Sequence, residues 1–435
     1  MKVLLVGSGA REHALAWKLN RSEQVSKLFF WPGAPAMGSC GQKLPYEGSS
    51  WGALAACAKQ EGIDFVVVGP EQPLAEGFAD QCQELGLPVF GPKQNAAQLE
   101  SSKEFAKKVM SQADIPTARF KVVSNFDDCQ TVALQMIADT GGAVIKASGL
   151  AAGKGVFVCT SKDDVLAGVE RLKSSMAQAA ERIVVEEILK GRECSFFCFV
   201  GRNKATPLGF AVDFKRLRDG DEGPNTGGMG CYTPVPWLPD DASERVMASV
   251  VNPLIEQLAV QGIEYTGCLY VGLMWGEQGP SVVEFNVRLG DPEAQVLALN
   301  DERDWGLMIA EKLGLVNSTT FDGTLPKNDR HSVAVVMAGE GYPYEKPKSS
   351  VEAFSNDLFD NDKADKSIFG ASVLQDNEQL KPGGGRVLTV VQTAKSFAEA
   401  RESVYGTVAN ISKTWPLVQF RKDIALRVSN EGEDS

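Results

Sequence analysis

Histidine is scarce in this chain, with only His13 and His331 among 435 residues. The nine cysteines include no CxxC pair, and Cys194 and Cys198 have no histidine near them in the sequence. Structural zinc sites need closely spaced thiolate or imidazole ligands, so a zinc site is not expected. An odd number of scattered cysteines instead predicts reduced thiols in a cytoplasmic protein.

Long apolar runs and excess positive charge are also missing. No run approaches the roughly 20 residues of a membrane-spanning helix, and residues 1–7 read as a strand rather than a secretory signal. The chain has 44 Lys and Arg against 56 Asp and Glu, a net charge of -12. A nucleic-acid or membrane surface would need a basic field. We therefore expect a soluble cytoplasmic protein that has neither partner and binds small anions through local groups.

Short apolar runs alternate with helical patterns over the first hundred residues. The runs are Lys2–Val6, Leu28–Trp31, Phe65–Val68 and Val89–Phe90, and a typical helical stretch between them is Leu74–Leu85. Strands that alternate with helices form parallel sheets. The pattern predicts a doubly wound parallel-sheet domain.

The rest of the chain divides into a longer central part and a small C-terminal part. Strand patterns flank a glycine-rich segment in the central part, and strand and helix patterns from about residue 329 predict a small mixed α/β unit. The class is therefore α/β, and three domains are expected: 1–101, 102–328 (with a flap subdomain at about 118–192) and 329–435.

One predicted strand carries a distinctive set of polar side chains. Side chains alternate along a strand, so Glu284, Asn286 and Arg288 share one predicted face. Val283 and Phe285 are predicted on the opposite, core-facing side. Carboxylate and amide oxygens suit Mg²⁺ or Mn²⁺, and a guanidinium suits a carboxylate or phosphate. Glu284 and Asn286 are the predicted metal ligands, and a solvated, salt-bridged surface is the alternative.

The glycine-rich segment Gly-Leu-Ala-Ala-Gly-Lys-Gly begins at Gly149, between two strand patterns. It is not a P-loop, because only three residues separate Gly149 from Gly153, and Gly155 stands where Ser or Thr would bind Mg²⁺. Glycines still let a backbone approach phosphate, and Lys146 and Lys154 add positive charge. We predict a phosphate-clamping flap here.

The turn after the first strand, Gly7-Ser-Gly-Ala-Arg-Glu-His13, begins like a dinucleotide fingerprint but has Glu12 in place of its third glycine. An NAD-dependent oxidoreductase is therefore the weakest hypothesis. A glycine turn at a helix N-terminus still presents N–H groups to an anion, and Arg11 adds charge. We expect Gly9, Arg11 and Glu12 to form a phosphate or phosphosugar site, with a purely structural turn as the alternative. His13 is expected to serve in packing of the helix rather than in catalysis.

Two further segments have candidate binding groups. The strand pattern from residue 182 ends in Glu186 and Glu187, where a nucleoside base could bind, although an ordinary strand end is the alternative. Downstream, Asp213 and Lys215 precede Pro-Asn-Thr-Gly-Gly-Met-Gly, which has too many glycines for a regular element. Such a loop suits closure over a small substrate with backbone donors, and a structural Ω-loop is the alternative.

Taken together, these motifs resemble the phosphoribosylamine–glycine ligase (glycinamide ribonucleotide synthetase) family of ATP-grasp enzymes. The likeness runs in order over nearly the whole chain. The motifs that carry it are Gly7-Ser-Gly-Ala-Arg-Glu-His-Ala14, Val68-Gly-Pro-Glu71, Ala97-Gln-Leu-Glu100, Ser102-Lys103, Gly149-Leu-Ala-Ala-Gly-Lys-Gly155, Pro224-Asn-Thr-Gly-Gly-Met-Gly230, Glu284-Phe-Asn286, Arg288-Leu-Gly-Asp-Pro-Glu293 and Gly384-Gly-Arg-Val-Leu388.

The resemblance implies a central two-part ATP-grasp domain between the N-terminal parallel-sheet domain and the small C-terminal domain. It implies a cytoplasmic enzyme of de novo purine biosynthesis, expected as a monomer, that uses ATP with Mg²⁺ or Mn²⁺. The reaction would join glycine to 5-phosphoribosylamine through glycyl phosphate.

The resemblance also implies roles for individual residues. The expected catalytic residues are Arg288, Asp213 and Lys146. The expected ATP-binding residues are Lys103, Lys146, Gly149, Gly153, Lys154, Gly155, Glu186, Glu187 and Glu193. The expected substrate-binding residues are Gly9, Arg11, Glu12, Asp213, Lys215, Asn225, Thr226, Gly227, Gly228, Arg288, Gly290 and Asp291.

Three positions depart from the family pattern. Phe214 stands where the family usually has His or Tyr, Ser148 replaces an Asp in the flap, and Pro32-Gly-Ala-Pro35 replaces Pro-Gly-Asn. Two alternatives remain within this reading: an ATP-grasp ligase of another small acid, such as bicarbonate or formate, and a catalytically idle ATP-binding regulatory protein.

Overall fold

A computed structural model describes residues 1–149, 155–175, 181–317, 321, 323–344, 353–361 and 366–430. The N-terminal part contains β1 (Lys2–Gly7), α1 (Ala10–Asn20), β2 (Lys27–Pro32), β3 (Gln42–Lys43), α2 (Trp51–Gln60), β4 (Phe65–Val68), α3 (Glu71–Ala75), α4 (Phe78–Glu84), β5 (Val89–Phe90) and α5 (Gln94–Ser101). Its five strands form one sheet in the order β3-β2-β1-β4-β5, and every pairing is parallel. Leu4 and Val6 of β1 pack in one core cluster and Val3 and Leu5 in another, so both faces of the sheet are covered. The predicted parallel α/β fold is confirmed.

The predicted helix Leu74–Leu85 is wrong as a single element. Gly77 lies between α3 and α4 with a φ of +81°, a left-handed conformation that a helix does not continue through. The chain turns there, and the side chains before it, Glu71 and Glu76, reach the cleft described below.

The next part forms a subdomain with its own core. After α6 (Lys103–Gln112), whose buried apolar side chains pack with the N-terminal part and the large sheet, the elements of this subdomain are β6 (Phe120–Val123), α7 (Phe126–Thr140), β7 (Ala143–Ala147), β8 (Val156–Cys159), α8 (Lys162–Ser175) and β9 (Ile183–Glu187). The four strands pair antiparallel in the order β6-β9-β7-β8. Ile145, Val165 and Leu172 belong to a hydrophobic cluster confined to this segment, so the flap packs as a unit that is separate from the larger sheet.

The described residues after β9 contain the strands β10 (Arg192–Gly201), β11 (Lys204–Asp213), β12 (Arg216–Arg218), β13 (Glu222–Asn225), β14 (Gly230–Thr233), β15 (Gly267–Gly276), β16 (Gly279–Asn286), β17 (His331–Ala338), β18 (Lys366–Gly370), β19 (Val373–Asp376), β20 (Gln379–Pro382) and β21 (Arg386–Ala394). Eight of them build one sheet in the order β16-β15-β10-β11-β14-β17-β21-β18, while β12 pairs with β13 and β19 pairs with β20 in two small hairpin sheets. The helices are α9 (Ala242–Val246), α10 (Asn252–Val260), α11 (Glu293–Asn300), α12 (Trp305–Lys312), α13 (Phe397–Ser412) and α14 (Leu426–Asn430).

This sheet crosses from the central part into the C-terminal part. β14 pairs antiparallel with β17, with Cys231 opposite Ala334. The C-terminal strands therefore extend the central sheet, while α13 packs against β17 and β21. Because of this continuity, C-terminal side chains can reach the glycine-rich loop that precedes β14. Among the described residues, no helix is both long and apolar enough to span a bilayer.

β16 contains an irregularity at a functionally important point. Glu284 lies opposite Gly272 and Val282 lies opposite Leu273, so Val283 is the extra residue of a β-bulge. Phe285 is buried as predicted, but Val283 is partly exposed and lines the cleft. The prediction that Val283 packs into the core is therefore wrong, because the bulge interrupts the two-residue period.

Candidate active site

A cleft of about 910 Å³ lies where the flap subdomain, the N-terminal helices and the large sheet meet. It collects residues that are far apart in the sequence. The predicted site residues that line it are Lys103, Lys146, Gly155, Asp213, Lys215, Thr226, Gly227, Glu284, Asn286, Arg288, Gly290 and Asp291.

Glu284 projects from β16 into this cleft among positively charged groups. Burial by itself would raise the pKa of Glu284, but the neighbouring Lys215, Lys146 and Lys103 outweigh burial and lower it. The carboxylate is therefore ionised at neutral pH. Asn286, two residues along the strand, is buried, and its Oδ1 accepts a hydrogen bond of 3.3 Å from Arg288 Nη2.

These two side chains fit a hard divalent cation. An ionised carboxylate and an amide oxygen are the oxygen ligands that Mg²⁺ takes from proteins, usually one or two at a time beside substrate phosphates. Within the described ranges, no group of three or more His, Cys, Asp or Glu side chains could hold a metal by itself. The donor set therefore suits an ion shared with phosphate oxygens.

A buried ion-pair triad joins the flap to the cleft. Glu186 on β9 is 3% exposed, and its carboxylate pairs with Lys146 on β7 and, at 2.7 Å, with Lys107 on α6. Lys146 Nζ also donates to the carbonyl of Val283 in the bulge, at 3.3 Å. Glu186 therefore already pairs with two lysines, and its role beside a nucleoside base stays a prediction.

Lys107 is a site residue that the sequence prediction missed. It lies four residues after Lys103 on α6, and both side chains line the cleft. The i,i+4 spacing places two residues on one helix face, so this signal was available. Burial lowers the pKa of Lys107 despite the opposing effect of Glu186.

Several predicted ATP-binding residues lie away from the cleft lining. Glu187 Oε2 accepts a hydrogen bond of 2.9 Å from Arg119 Nε. Glu193 forms an ion pair with Lys215. Gly149 ends the described segment before the flap loop and does not line the cleft. Gly153 and Lys154 lie outside the described residues.

Acidic groups concentrate at the other end of the cleft. Burial raises the pKa of Asp213, and burial together with Asp213 raises the pKa of Glu293 to about 7. Lys215 lies beside them, and Asp213 and Glu193 outweigh its burial and raise its pKa well above the ordinary value. Glu293 ends the Arg288–Glu293 motif that carries the family resemblance, and the resemblance implies that the turn 290–293 positions glycine. The raised pKa of Glu293 depends on neighbours that only the fold brings close.

Arg288 is held firmly in the same region. Its Nη2 donates to Glu100 at 2.7 Å, and its Nε donates to Glu71 at 3.2 Å. Glu100 also accepts from the Val287 N–H at 2.8 Å. Glu71 and Glu100 were not predicted as site residues, although both end motifs that carry the family resemblance. These two carboxylates fix the orientation of the Arg288 guanidinium in the cleft.

The glycine-rich loop before β14 does not present the predicted free backbone donors. The Gly227 N–H donates to Tyr342 Oη at 3.1 Å, and the Gly228 N–H donates to Thr226 Oγ1 at 3.0 Å. Gly228 has a φ of +110°, and a Cβ there would lie 2.6 Å from Pro292. The glycines are needed for close packing, and the expectation of free donors at both is wrong. Asn225 lies on β13, exposed and away from the cleft lining.

Asp291 also has partners within the protein. Its Oδ1 accepts from Gln295 Nε2 at 2.7 Å, and its Oδ2 accepts from Arg386 Nη2 at 2.8 Å. The Asp291 carboxylate lines the cleft, but both of its oxygens already accept hydrogen bonds from side chains of the protein. These bonds stabilise the turn that includes Gly290.

The turn after β1 is likewise internally satisfied. The Gly9 N–H donates to Glu12 Oε2 at 2.7 Å, and Arg11 Nε donates to Glu12 Oε1 at 2.6 Å. These groups are therefore not free donors, and they do not line the cleft. His13 is fully buried, its Nδ1 accepts from the Gly370 N–H at 3.0 Å, and burial lowers its pKa to about 3. The packing role expected for His13 is confirmed.

The departure at Phe214 lies off the cleft. Asp213 and Lys215 on either side line the cleft, while the Phe214 ring lies 4.8 Å from the Arg421 guanidinium carbon in the C-terminal part. The side chain alternates to the opposite face. A polar residue at this position is therefore not required by the geometry of the cleft.

Comparison with known proteins matches most of the chain to one family. The phosphoribosylglycinamide synthetase N domain matches residues 1–100, its ATP-grasp (A) domain matches 101–294, and its C domain matches 332–427.

Relatives are similar over nearly their full length. A phosphoribosylamine–glycine ligase of Rhizobium meliloti (strain 1021) is 39% identical over 430 residues, with 98% of each chain covered. The protein of that name from Escherichia coli (strain K12) is 39% identical over 434 residues, again with 98% of each chain covered.

Solved structures agree with this assignment. A crystal structure of phosphoribosylamine–glycine ligase from Thermotoga maritima is 30% identical, with a TM-score of 0.77 over 97% of this chain and 100% of that one. A biotin carboxylase from Campylobacter jejuni has a TM-score of 0.67 over 96% of this chain and 91% of that one, but is only 14% identical, which indicates a shared fold alone. The chain therefore belongs to the phosphoribosylglycinamide synthetase family.

Proposed function

We propose that this protein joins glycine to 5-phosphoribosylamine at the expense of ATP, giving glycinamide ribonucleotide, ADP and phosphate. The observation that carries the proposal is the single cleft in which ionised Glu284 and buried Asn286 face Lys103, Lys146 and Lys215. Family membership over nearly the full length supports this choice of substrates.

The flap-side end of the cleft suits the nucleotide. Lys103 and Lys146 would neutralise phosphate oxygens, and Gly153 and Lys154 would add further contacts to the phosphates. Glu284 and Asn286 would hold Mg²⁺ or Mn²⁺ together with the phosphates. When bound, such an ion withdraws negative charge from the transferring phosphoryl group.

The acidic end suits the amino acid. Asp213 and Glu293 would face the glycine ammonium group, and the Arg288 guanidinium would face the carboxylate or acyl phosphate. A glycine carboxylate oxygen attacks the γ-phosphorus, the bond to the β–γ bridging oxygen breaks, and ADP leaves. The sugar amine nitrogen then attacks the acyl carbon, phosphate leaves, and the nitrogen loses a proton.

The sugar phosphate would lie against the turn after β1, beside Arg11. This turn packs near the acidic end of the cleft, because Arg11 Nη1 donates to the Leu289 carbonyl at 3.1 Å. Glu12 balances the charge of Arg11, so the turn would contribute mainly shape and polarity. Replacing Arg11 by Ala should raise the KM for the sugar amine more than the KM for ATP.

ADP release measured with ATP, Mg²⁺, glycine and freshly generated 5-phosphoribosylamine tests the function, with each component omitted in turn. ADP that requires all of them, together with a product of the mass of glycinamide ribonucleotide, supports the ligase. ADP formed with bicarbonate or formate in place of glycine would instead identify another ATP-grasp ligase. Absence of turnover despite ATP binding would indicate a regulatory ATP-binding protein.

We further propose a cytoplasmic monomer with the domains 1–101, 102–328 and 329–435. Continuity of the large sheet across residue 328 predicts that limited proteolysis does not release a stable C-terminal fragment. Light scattering on the eluting protein tests the monomer, for which the chain mass is 46.8 kDa.

A further inference from the structure

Arg386, the first residue of β21, reaches from the C-terminal part into the cleft wall. Its Nη1 donates to the carbonyls of Gly227 and Asp291, each at 2.6 Å, and its Nη2 donates to Asp291 Oδ2 at 2.8 Å. The Arg386 side chain is 20% exposed. One guanidinium thus ties together two cleft-lining segments that are 64 positions apart in the sequence (291 − 227).

A second C-terminal residue completes the contact with the glycine loop. Tyr342 Oη accepts from the Gly227 N–H at 3.1 Å, so C-terminal side chains hold both the N–H and the carbonyl of one residue. A Cβ at Gly227 would lie 3.0 Å from the Arg386 guanidinium carbon. A side chain at this position would therefore require the Arg386 guanidinium to shift.

The held segments lie at the acidic end of the cleft. Thr226 and Gly227 of the loop and Gly290 and Asp291 of the turn all line the cleft. The nucleotide-side groups, Lys107 and Lys146, have their own anchor in Glu186. The Arg386 contacts are therefore separate from the anchor of these two lysines.

We propose that Arg386 is a positioning residue that keeps the glycine loop and the Gly290–Asp291 turn together over the acid-and-amine end of the cleft. This inference rests on the proposed function. In that reaction the amine must attack the acyl phosphate faster than water does. Attack of water on the acyl carbon would return glycine and phosphate, so that one ATP is hydrolysed without ligation. Holding the two segments together limits that side reaction.

The variants Arg386→Ala and Arg386→Lys test the role in the full-length enzyme. Without the planar guanidinium, one side chain cannot bond the carbonyls of Gly227 and Asp291 and the Asp291 carboxylate at the same time. We expect the KM for glycine to rise about tenfold or more in Arg386→Ala, with the KM for ATP nearly unchanged. The ratio of ADP to ligated product should rise clearly above one, and Arg386→Lys should retain much of the defect.

Lys381→Ala is the matched control, because Lys381 pairs with Asp376 at 2.7 Å in a C-terminal hairpin away from the cleft. It should keep wild-type KM values and an ADP-to-product ratio of one. Hydrogen exchange of the segment around Gly227, measured without substrates, should rise in the Arg386 variants and in Tyr342→Phe.

Wild-type KM values and tight coupling in the Arg386 variants would overturn the positioning role, as would an equal rise in all three KM values. If Arg386→Ala does not fold, Arg386→Lys decides on the same criteria. Failure of the wild-type enzyme to form product would count against the proposed function instead, and the exchange measurement would still decide whether Arg386 holds the loop.

Discussion

Replacing Glu284 by Gln should nearly abolish turnover while leaving the protein folded. The change preserves side-chain volume but removes one negative charge from a half-buried, cleft-lining position near Lys103, Lys146 and Lys215. An amide cannot replace the carboxylate as an anionic ligand for a divalent cation. We expect kcat to fall about 100- to 1000-fold, or ~3–4 kcal/mol of transition-state stabilisation.

The cost in stability should be small by comparison. Lys146 keeps its pairing with Glu186, and Lys215 keeps Glu193. Lys103 loses the nearby charge that most favours its protonated form. We expect the free energy of unfolding to fall by about 1 kcal/mol, seen as a shift of a few degrees in Tm.

The assay is ADP release at increasing Mg²⁺ concentrations, with urea unfolding measured in parallel. Glu76→Gln is the control, because Glu76 lines the same cleft and accepts from Trp51 Nε1 at 2.6 Å. It should keep activity within about twofold, since a surface carboxylate contributes little. If Glu284→Gln retained wild-type turnover at every Mg²⁺ concentration, the metal assignment would be refuted.

Three further predictions follow from individual side chains. Glu186→Gln leaves two buried lysines without their anion and should lower the free energy of unfolding in urea by about 3 kcal/mol. The control is Glu187→Gln, which should lower it by under ~1 kcal/mol because the arginine partner of Glu187 is largely exposed. Equal effects of the two substitutions would contradict the triad. Because burial raises the pKa of Glu293 from its ordinary 4.5 to about 7, the folded protein holds a proton that the unfolded chain releases, so this group costs stability as pH rises through that interval. Glu293→Gln should therefore gain stability relative to wild type at pH 8 compared with pH 4, and an unchanged difference would show that Glu293 is not protonated at neutral pH. Phe214→His should leave kcat within about threefold of the wild-type value. It should lower Tm more at pH 6 than at pH 8, because a protonated imidazole would face the Arg421 guanidinium. A large change in kcat would instead show that residue 214 takes part in the reaction.

Much of the fold could be predicted because its signals are local. Short apolar runs separated by helical patterns indicate strands and helices, and the N-terminal parallel sheet follows from their alternation. The face of Glu284 and Asn286 follows from the period of two in a strand. Even so, the bulge at Val283 broke that period, since a bulge is set by pairing with β15 and not by the sequence of β16 alone.

The hydrogen-bond partners of the site residues could not be predicted from local sequence patterns. The glycines of the 226–228 loop were correctly singled out, but their donors turned out to be taken by Tyr342 and Thr226. A hydrogen bond between residues 227 and 342 depends on how the C-terminal strands extend the central sheet. No spacing within the loop encodes it.

The sequence by itself determined the α/β class, the polar face of β16, the glycine-rich loops and the family resemblance, because each depends on residues close together in the chain. The tertiary structure alone decided that Glu186 pairs with two lysines, that Phe214 faces away from the cleft and that Arg386 joins two segments that line it. Ion pairing, pKa and orientation depend on distances between segments that meet only when the chain is folded.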